Sequence, residues 1–320
     1  GIAATVGAIF GIISGVGKGT TEFLEDASKV KAVSYSFIDN VVSWFPENIV
    51  QAMVKQDMLQ IIVFAIFIGC ALLTLGKEVD ILIKGFDQCS KLMLKITDFV
   101  MAFSPVGIAA LMAKLVNSIS GATVKDVITF IIMDYVAAIV VLVVMYPLLL
   151  KLLSGLSPLT FFKKITEPML VAITTTSSAA TLPVSLKTAG TKLGIPENVY
   201  GFTLPLGNTC GMNGFAIFIG LCCIFCSNVY GVEITFSKLV LYVFLGIILS
   251  VGAAGVKGAG IVMSTVLLEA IGMPLTVIPI FAAIWPAIDP PHTLLNNVSD
   301  IVGTSIIAKR LGLIDENVYN

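Results

Sequence analysis

Apolar runs separated by short charged segments organise the chain, and their lengths predict its elements. Residues 1–17 form one apolar run, 58–76 a second, and 89–120 and 124–154 two more. A helix needs ~20 apolar residues to cross the hydrocarbon core of a bilayer, so these runs predict membrane spans. Residues 19–48 are polar and amphipathic, carrying Glu22, Glu25, Asp26, Lys29 and Lys31. Beyond residue 154 the pattern changes. Two short, small-residue-rich, interrupted stretches occupy 160–188 and 237–271, each followed by a long apolar segment, 199–229 and 275–307. The first contains TTTSSAATLP (174–183) and the second SVGAAGVKGAG (250–260). Non-helical backbone at membrane depth is tolerated only where protein or a watery cavity satisfies it. A matched pair of Gly/Pro-interrupted segments, each ahead of a long helix, marks an internal inverted repeat around a transport site. The pattern therefore predicts an all-α membrane protein: transmembrane helices plus two re-entrant helical hairpins, with ordinary kinked helices as the competing reading.

Basic residues orient these spans. Counting loops alternately from the 58–76 span places Lys77, Lys84, Lys91, Lys95, Lys151, Lys163, Lys164, Lys187, Lys192, Lys309 and Arg310 on one side, provided that 160–188 enters and leaves on that side. Lys18, Lys29, Lys31, Lys125 and Lys238 fall opposite. The lysine-rich side is expected to be cytoplasmic, which puts the C-terminus there too.

Polar groups converge in the last span. Relative to Asp289, His292, Thr293, Asn296 and Asp300 fall at +3, +4, +7 and +11. At about 100° per residue these share an arc of roughly 100° on one helix face, while Leu294, Leu295, Val298, Ile301 and Val302 are apolar. Each carboxylate at bilayer depth costs at least ~2.5 kcal/mol, so two on one face require partners. Pro290 and Pro291 remove backbone donors and disfavour helical geometry at Asp289, which predicts a kink that frees carbonyls there. The preceding long segment contains PLGNTCGMNGF (205–215). Its Gly207, Gly211 and Gly214 with Asn208, Thr209 and Asn213 are poor helix formers. An unwound stretch there would turn carbonyl oxygens inward, suiting a hard monovalent cation, with Asp300 as balancing charge; close helix packing by the glycines is the other reading. Asp134, within IIMDYVAAIVV, has no partner legible in the sequence, and a pair elsewhere, a water path and a helix interface all stay open. Lys257 either snorkels to water or meets the solute.

Composition narrows the classes. The chain of 320 residues is 57% hydrophobic and 12% charged, with mean hydropathy +1.00. Soluble domains carry about a quarter charged residues, so lipid must solvate much of this one. With 19 basic and 20 acidic residues there is no basic stripe for nucleic acid. One histidine argues against a His-rich metal site. Cys222, Cys223 and Cys226 lie inside an apolar helix pattern and read as small buried residues. The abrupt apolar start, without a basic n-region, does not read as a signal peptide; it suggests that earlier segments are missing. Asp289 and Asp300 are 11 residues apart, roughly 16 Å along a helix, too far for a paired-carboxylate catalyst. No HExxH occurs, and no enzyme is predicted.

The motifs together resemble the dicarboxylate/amino acid:cation symporter family, the glutamate-transporter-like fold, over essentially the whole chain. TTTSSAATLP is similar to that family's serine-rich first hairpin, FTLPLGNTCGMNG to its TLPLGATINMDG segment, AAGVKGAG to its AGVPGAG second-hairpin tip, and DPPHTLLNNVSDIVGTSIIAK to its last helix. The resemblance implies an N-terminally truncated copy of an inverted-repeat, elevator-type transporter fold. It further implies a plasma-membrane homotrimer in which scaffold helices hold a moving core, with the first hairpin as cytoplasmic gate and the second as extracellular gate. On that reading, residues 1–17 are a partial transport-domain helix, 18–123 scaffold helices and loop, and 124–320 the transport core.

Carried over residue by residue, the resemblance implies that Asn296 and the backbone at Ser177 and Ser178 hold a solute α-carboxylate. Asp289 takes the α-ammonium, Thr293 lines the pocket, and Val256 and Gly258 close over it. For cations it implies one site at Gly207, Asn296 and Asp300, and another at Thr209 with Ser250, Val251 and Ala253, with Met212 between. Four positions depart from the family pattern. His292 stands for an arginine that pairs with a side-chain carboxylate, and Phe215 for a neighbouring threonine. A neutral imidazole beside an aromatic ring does not reproduce bidentate carboxylate recognition, which favours a smaller or neutral solute. Histidine as a residue type carries a positive charge once protonated, which keeps acidic solutes open; an arginine at this position is expected to shift preference toward them. Gly211 and Asn213 stand for an asparagine and an aspartate, removing the anion of one cation site. The expected function is symport of a small amino acid or related carboxylate with Na+ or H+, without other cofactors. The alternatives are a dicarboxylate or acidic amino acid symporter, and a leak-conducting or inactive relative.

Overall fold

The computed structural model describes residues 1–20, 42–55, 57–103, 106–107, 109–110, 113, 120–253 and 259–320. Among these, every regular element is helical: α1 (Ile2–Ser14), α2 (Ile49–Lys55), α3 (Met58–Leu75), α4 (Asp80–Ala102), α5 (Gly121–Val140), α6 (Tyr146–Ser154), α7 (Pro158–Lys164), α8 (Thr166–Thr175), α9 (Ser178–Thr191), α10 (Glu197–Cys210), α11 (Asn213–Val229), α12 (Phe236–Gly252), α13 (Ala259–Ala270), α14 (Ile278–Arg310) and α15 (Glu316–Tyr319). Among the described residues, three helical stretches are long and apolar enough to cross a membrane: Leu59–Met93, Gly121–Ser154 and Glu197–Val229. The chain is a multi-pass membrane protein. Side chains at 21–41, including Glu22 and Lys29, and Val256, Lys257 and Gly258 of the predicted second-hairpin tip, lie outside the described residues.

The α10–α11 stretch is the centre of the molecule. Of its most apolar window 78% is buried, against 6% for Leu59–Met93. Helix α1 lies along α11 on a seam of small residues. A Cβ on Gly7 would collide with the Ile217 carbonyl, and one on Gly220 with the Ala4 carbonyl. Such close approach is how helices associate where lipid leaves no hydrophobic drive between them. Around the seam, Phe130 of α5, Phe218 and Phe225 of α11, and Phe281 of α14 stack edge to face with centroids 5.3–5.8 Å apart. By contrast, Leu73, Ile81 and Phe99 of α3 and α4 are exposed, the face a lipid-solvated pair would show.

Helix starts follow their caps. Ser120, Ser157, Ser177 and Thr235 each accept a backbone N–H from the first turn of the helix that follows, the role that favours hydroxyl residues there. Between α5 and α6 lies one π-helical turn, Val141–Met145, a feature often found at functional sites.

Two expectations change in scale. The break in PLGNTCGMNGF is present but short: only Gly211 and Met212 separate α10 from α11. The Pro290–Pro291 pair does not interrupt the last helix, which runs through 33 residues. The physical reason is a partner from α5. Pro291 leaves the Ala287 carbonyl without its helical donor, and the Tyr135 hydroxyl donates to that oxygen at 2.6 Å. Tyr135→Phe is therefore expected to lower stability by about 1 kcal/mol, read as a drop in melting temperature of the detergent-solubilised protein.

The C-terminus folds back on the α6–α7 corner. The Tyr319 hydroxyl donates to the Ser157 carbonyl at 3.0 Å, with Lys164 Nζ 5.7 Å over its ring. Burial pushes the Tyr319 phenol up to about 12. A group whose protonated form the fold favours contributes stability below its unfolded value, about 10 for tyrosine, and loses it as pH rises through its folded value. The wild type should thus shed this contact between pH 10 and 12, whereas the difference in melting temperature from Tyr319→Phe should vanish over the same window.

Candidate functional site

The site is built where the α10–α11 break faces the middle of α14. Asn296 locks the break from across the gap. Its Oδ1 accepts the Gly214 N–H at 2.8 Å and its Nδ2 donates to Met212 Sδ at 3.2 Å. Gly214 has to be glycine, because a Cβ there would overlap the His292 backbone. One turn further along α14, the Asp300 carboxylate sits on bare backbone: a Cβ on Gly207 would lie 2.6 Å from its Oδ1, and one on Gly211 would clash with the same atom. Gly207, Gly211, Asn213, Ser299 and Asp300 all line one groove of about 380 Å³, walled by Phe202 and Ile307. Tyr146 of α6 reaches the same place, donating to the Leu295 carbonyl at 3.1 Å and lying beside Ser299 and Asn213.

The predicted first hairpin also meets α14. Helices α8 and α9 pack together and onto α14. Thr176 between them has φ 48°, the only non-glycine positive φ among the described residues. A β-branched residue in that region is strained, and such strain gathers at functional sites. Ser177 caps α9, accepting the Ala180 N–H at 3.3 Å. Buried Ser178 accepts from Asn297 Nδ2 at 3.2 Å. The connection from Ser178 to the last helix therefore runs through Asn297, while Asn296 holds the break.

The polar stripe of α14 faces inward. His292, Thr293, Asn296 and Asn297 are buried, and Asp289, Ser299 and Asp300 half-buried. Other predicted members are less converged. Thr209 is exposed and bonds the Pro205 carbonyl in its own helix; Ser250 bonds the Ile247 carbonyl in its own. Val251 is exposed and Ala253 buried. Among the described residues no hydrogen bond joins Thr209 to the α12 end.

The largest addition is the partner of Asp134. This carboxylate is 0% exposed, and both its oxygens lie 2.9–3.0 Å from His292 Nε2. Phe215, Phe218 and Trp285 surround the pair: Trp285 and Phe218 meet the imidazole at 6.0 and 6.5 Å, and Phe215 stacks on Phe218. His292 Nδ1 and Trp285 Nε1 are buried without a hydrogen-bond partner among the described residues. The one signal in the sequence was that a lone acid and the single histidine both interrupt apolar runs. Tyr135, Tyr146, Phe218 and Trp285 carried no such mark.

The family model of the sodium:dicarboxylate symporter family matches residues 1–310. The chain belongs to that family. Similar members include the neutral amino acid transporter B(0) of Mus musculus, 29% identical over 294 residues, 86% of this chain and 52% of that protein. An uncharacterized symporter of Haemophilus influenzae is 30% identical over 274 residues, 82% and 62%. The proton/glutamate-aspartate symporter of Bacillus subtilis is 27% identical over 273 residues, 85% and 66%. The chain thus spans between about half and two thirds of these relatives. It belongs to a family of transporters, and cation coupling is the family's character.

Proposed function

We propose that the chain is the core of a secondary active symporter that uses a Na+ or H+ gradient to take up a small amino acid or related carboxylate. One observation carries this reading. Asp300 rests against the uncovered backbone of Gly207 and Gly211 at a helix break, and among the described residues no basic side chain pairs with it. A half-buried carboxylate at a break between two helices suits a monovalent cation site. Relatives named for neutral amino acids and for proton-coupled glutamate and aspartate uptake agree with amino acid symport.

On this reading α8–α9 and α12–α13 are re-entrant hairpins that gate an elevator-type core, residues 124–320 with 1–17, against scaffold helices within 18–123. Asn296 and the backbone at Ser177 and Ser178 receive the solute carboxylate, Asp289 takes its ammonium, and Thr293 lines the pocket. Val256 and Gly258 close over it, in a homotrimer of the plasma membrane with a cytoplasmic C-terminus. Gly207, Asn296 and Asp300 form one cation site, and Thr209 with the backbone of Ser250, Val251 and Ala253 forms the second once the gate closes, with Met212 between. Proteoliposomes with imposed Na+ and H+ gradients test it. Saturable amino acid uptake that collapses with one gradient is expected. Conductance without saturable uptake would show a channel instead.

A further inference from the structure

We propose that Asp134 is a specificity-determining residue: by neutralising His292 it leaves the site without a free cation among the described residues, so the transporter takes solutes with one carboxylate and rejects those with a second. This rests on the transport reading above and says which solute class that site accepts.

The argument starts from charge. Between Asp289 and Asp300, His292 is the only basic residue of the stripe. A second carboxylate entering this region would need a cation to replace its hydration, since an unpaired buried charge is costly. His292 does not supply one. Its Nε2 is held by both oxygens of Asp134, and the two side chains are 3% and 0% exposed. With Asp134 as its counter-ion, the imidazole offers no net positive charge to a further anion. At low dielectric the Asp134 charge acts strongly on any further anion.

The surroundings favour an uncharged solute group. Phe215, Phe218 and Trp285 form an aromatic wall around the pair. The polar atoms left over are one imidazole nitrogen, His292 Nδ1, and one indole donor, Trp285 Nε1. Together they offer isolated hydrogen bonds, not the planar fork that grips a carboxylate bidentately. Gly214 presses its backbone onto His292, which fixes the ring toward α5, where Asp134 waits.

This alters what an arginine at position 292 should do. With Asp134 intact, the guanidinium is neutralised in its turn, and the solute profile stays as it was. Only removal of both the counter-ion and the imidazole frees a cation for the solute.

The test is competition against uptake of a neutral amino acid by the full-length protein in proteoliposomes, with aspartate and glutamate as competitors. In the wild type and in H292R neither should compete. In D134N/H292R both should compete, with inhibition constants lower by about tenfold or more, the scale of one hydrogen bond to a charged group. Retained neutral uptake reports that each variant is folded; D134S/H292K, with a slimmer cation, replaces the double variant if that one does not fold. Acidic competition in H292R alone, or none in a double variant that still transports neutral solutes, overturns the role of Asp134 and leaves the transport reading standing. A wild type that takes up no amino acid overturns the transport reading itself, and this one with it.

Discussion

Asp300→Asn is expected to raise the cation concentration needed for half-maximal uptake by about ten- to hundredfold while leaving the protein folded. Asparagine keeps the shape and one oxygen but removes the charge. A charged partner is worth about 1.5–3 kcal/mol in such a contact, and each 1.4 kcal/mol is about tenfold in affinity. Structure should survive, because the carboxylate is packed against glycine backbone and the groove and carries no ion pair among the described residues. Uptake measured against Na+ and against proton concentration checks it, and unchanged dependence on both would remove Asp300 from the cation site. Gly211→Ala offers a steric companion, since its methyl would press on the same carboxylate oxygen.

The second large effect is on folding. Gly220→Val should prevent recovery of a monodisperse protein in detergent, because the collision is with the main chain of α1 at Ala4 and Ala8, which cannot rotate away as a side chain does. Overpacking typically costs about 1–3 kcal/mol, and a backbone-to-backbone clash lies at or beyond the upper end. The seam is long, so separating it would also strip Gly11 from Ile224 and Gly246 from Ala4, two glycines where an added methyl would come within 3 Å of those neighbours. Gly69→Ala is the control: nothing lies within 4 Å of that position on α3, and alanine gains up to about 1 kcal/mol in helix propensity. Gel-filtration profiles and melting temperatures of the two variants should therefore diverge in opposite directions from the wild type.

How much was legible beforehand depends on the range of the interaction. Local signals carried far. The glycines and asparagines of PLGNTCGMNGF marked a helix break, and Thr176 and Ser177 fall inside the interrupted stretch that the sequence singled out. The 3.6-residue period placed His292, Asn296 and Asp300 on one inward face. The extent of the disruption was not legible. Pro290 and Pro291 mark a freed carbonyl, but the sequence does not show that Tyr135, 152 positions before Ala287, satisfies it. Asp134 and His292 are 158 positions apart, each odd in its setting and neither naming the other. That Asn297 meets Ser178 was hidden for a different reason: adjacent residues differ by about 100° around a helix, and which of them meets Ser178 is decided by how α9 docks.

The π turn at Val141–Met145 has a geometric consequence for this arrangement. Asp134 and Tyr146 are 12 positions apart, which in an unbroken α-helix leaves them about 120° out of line. A π turn absorbs one extra residue, so the effective spacing becomes about 11 and the misalignment shrinks to about 20°. Both side chains then point at the same neighbour, one gripping His292 and the other the Leu295 carbonyl. A single additional residue wound into one coil thus acts as a phase corrector, keeping two fastenings on the last helix in step along a rod of 34 residues.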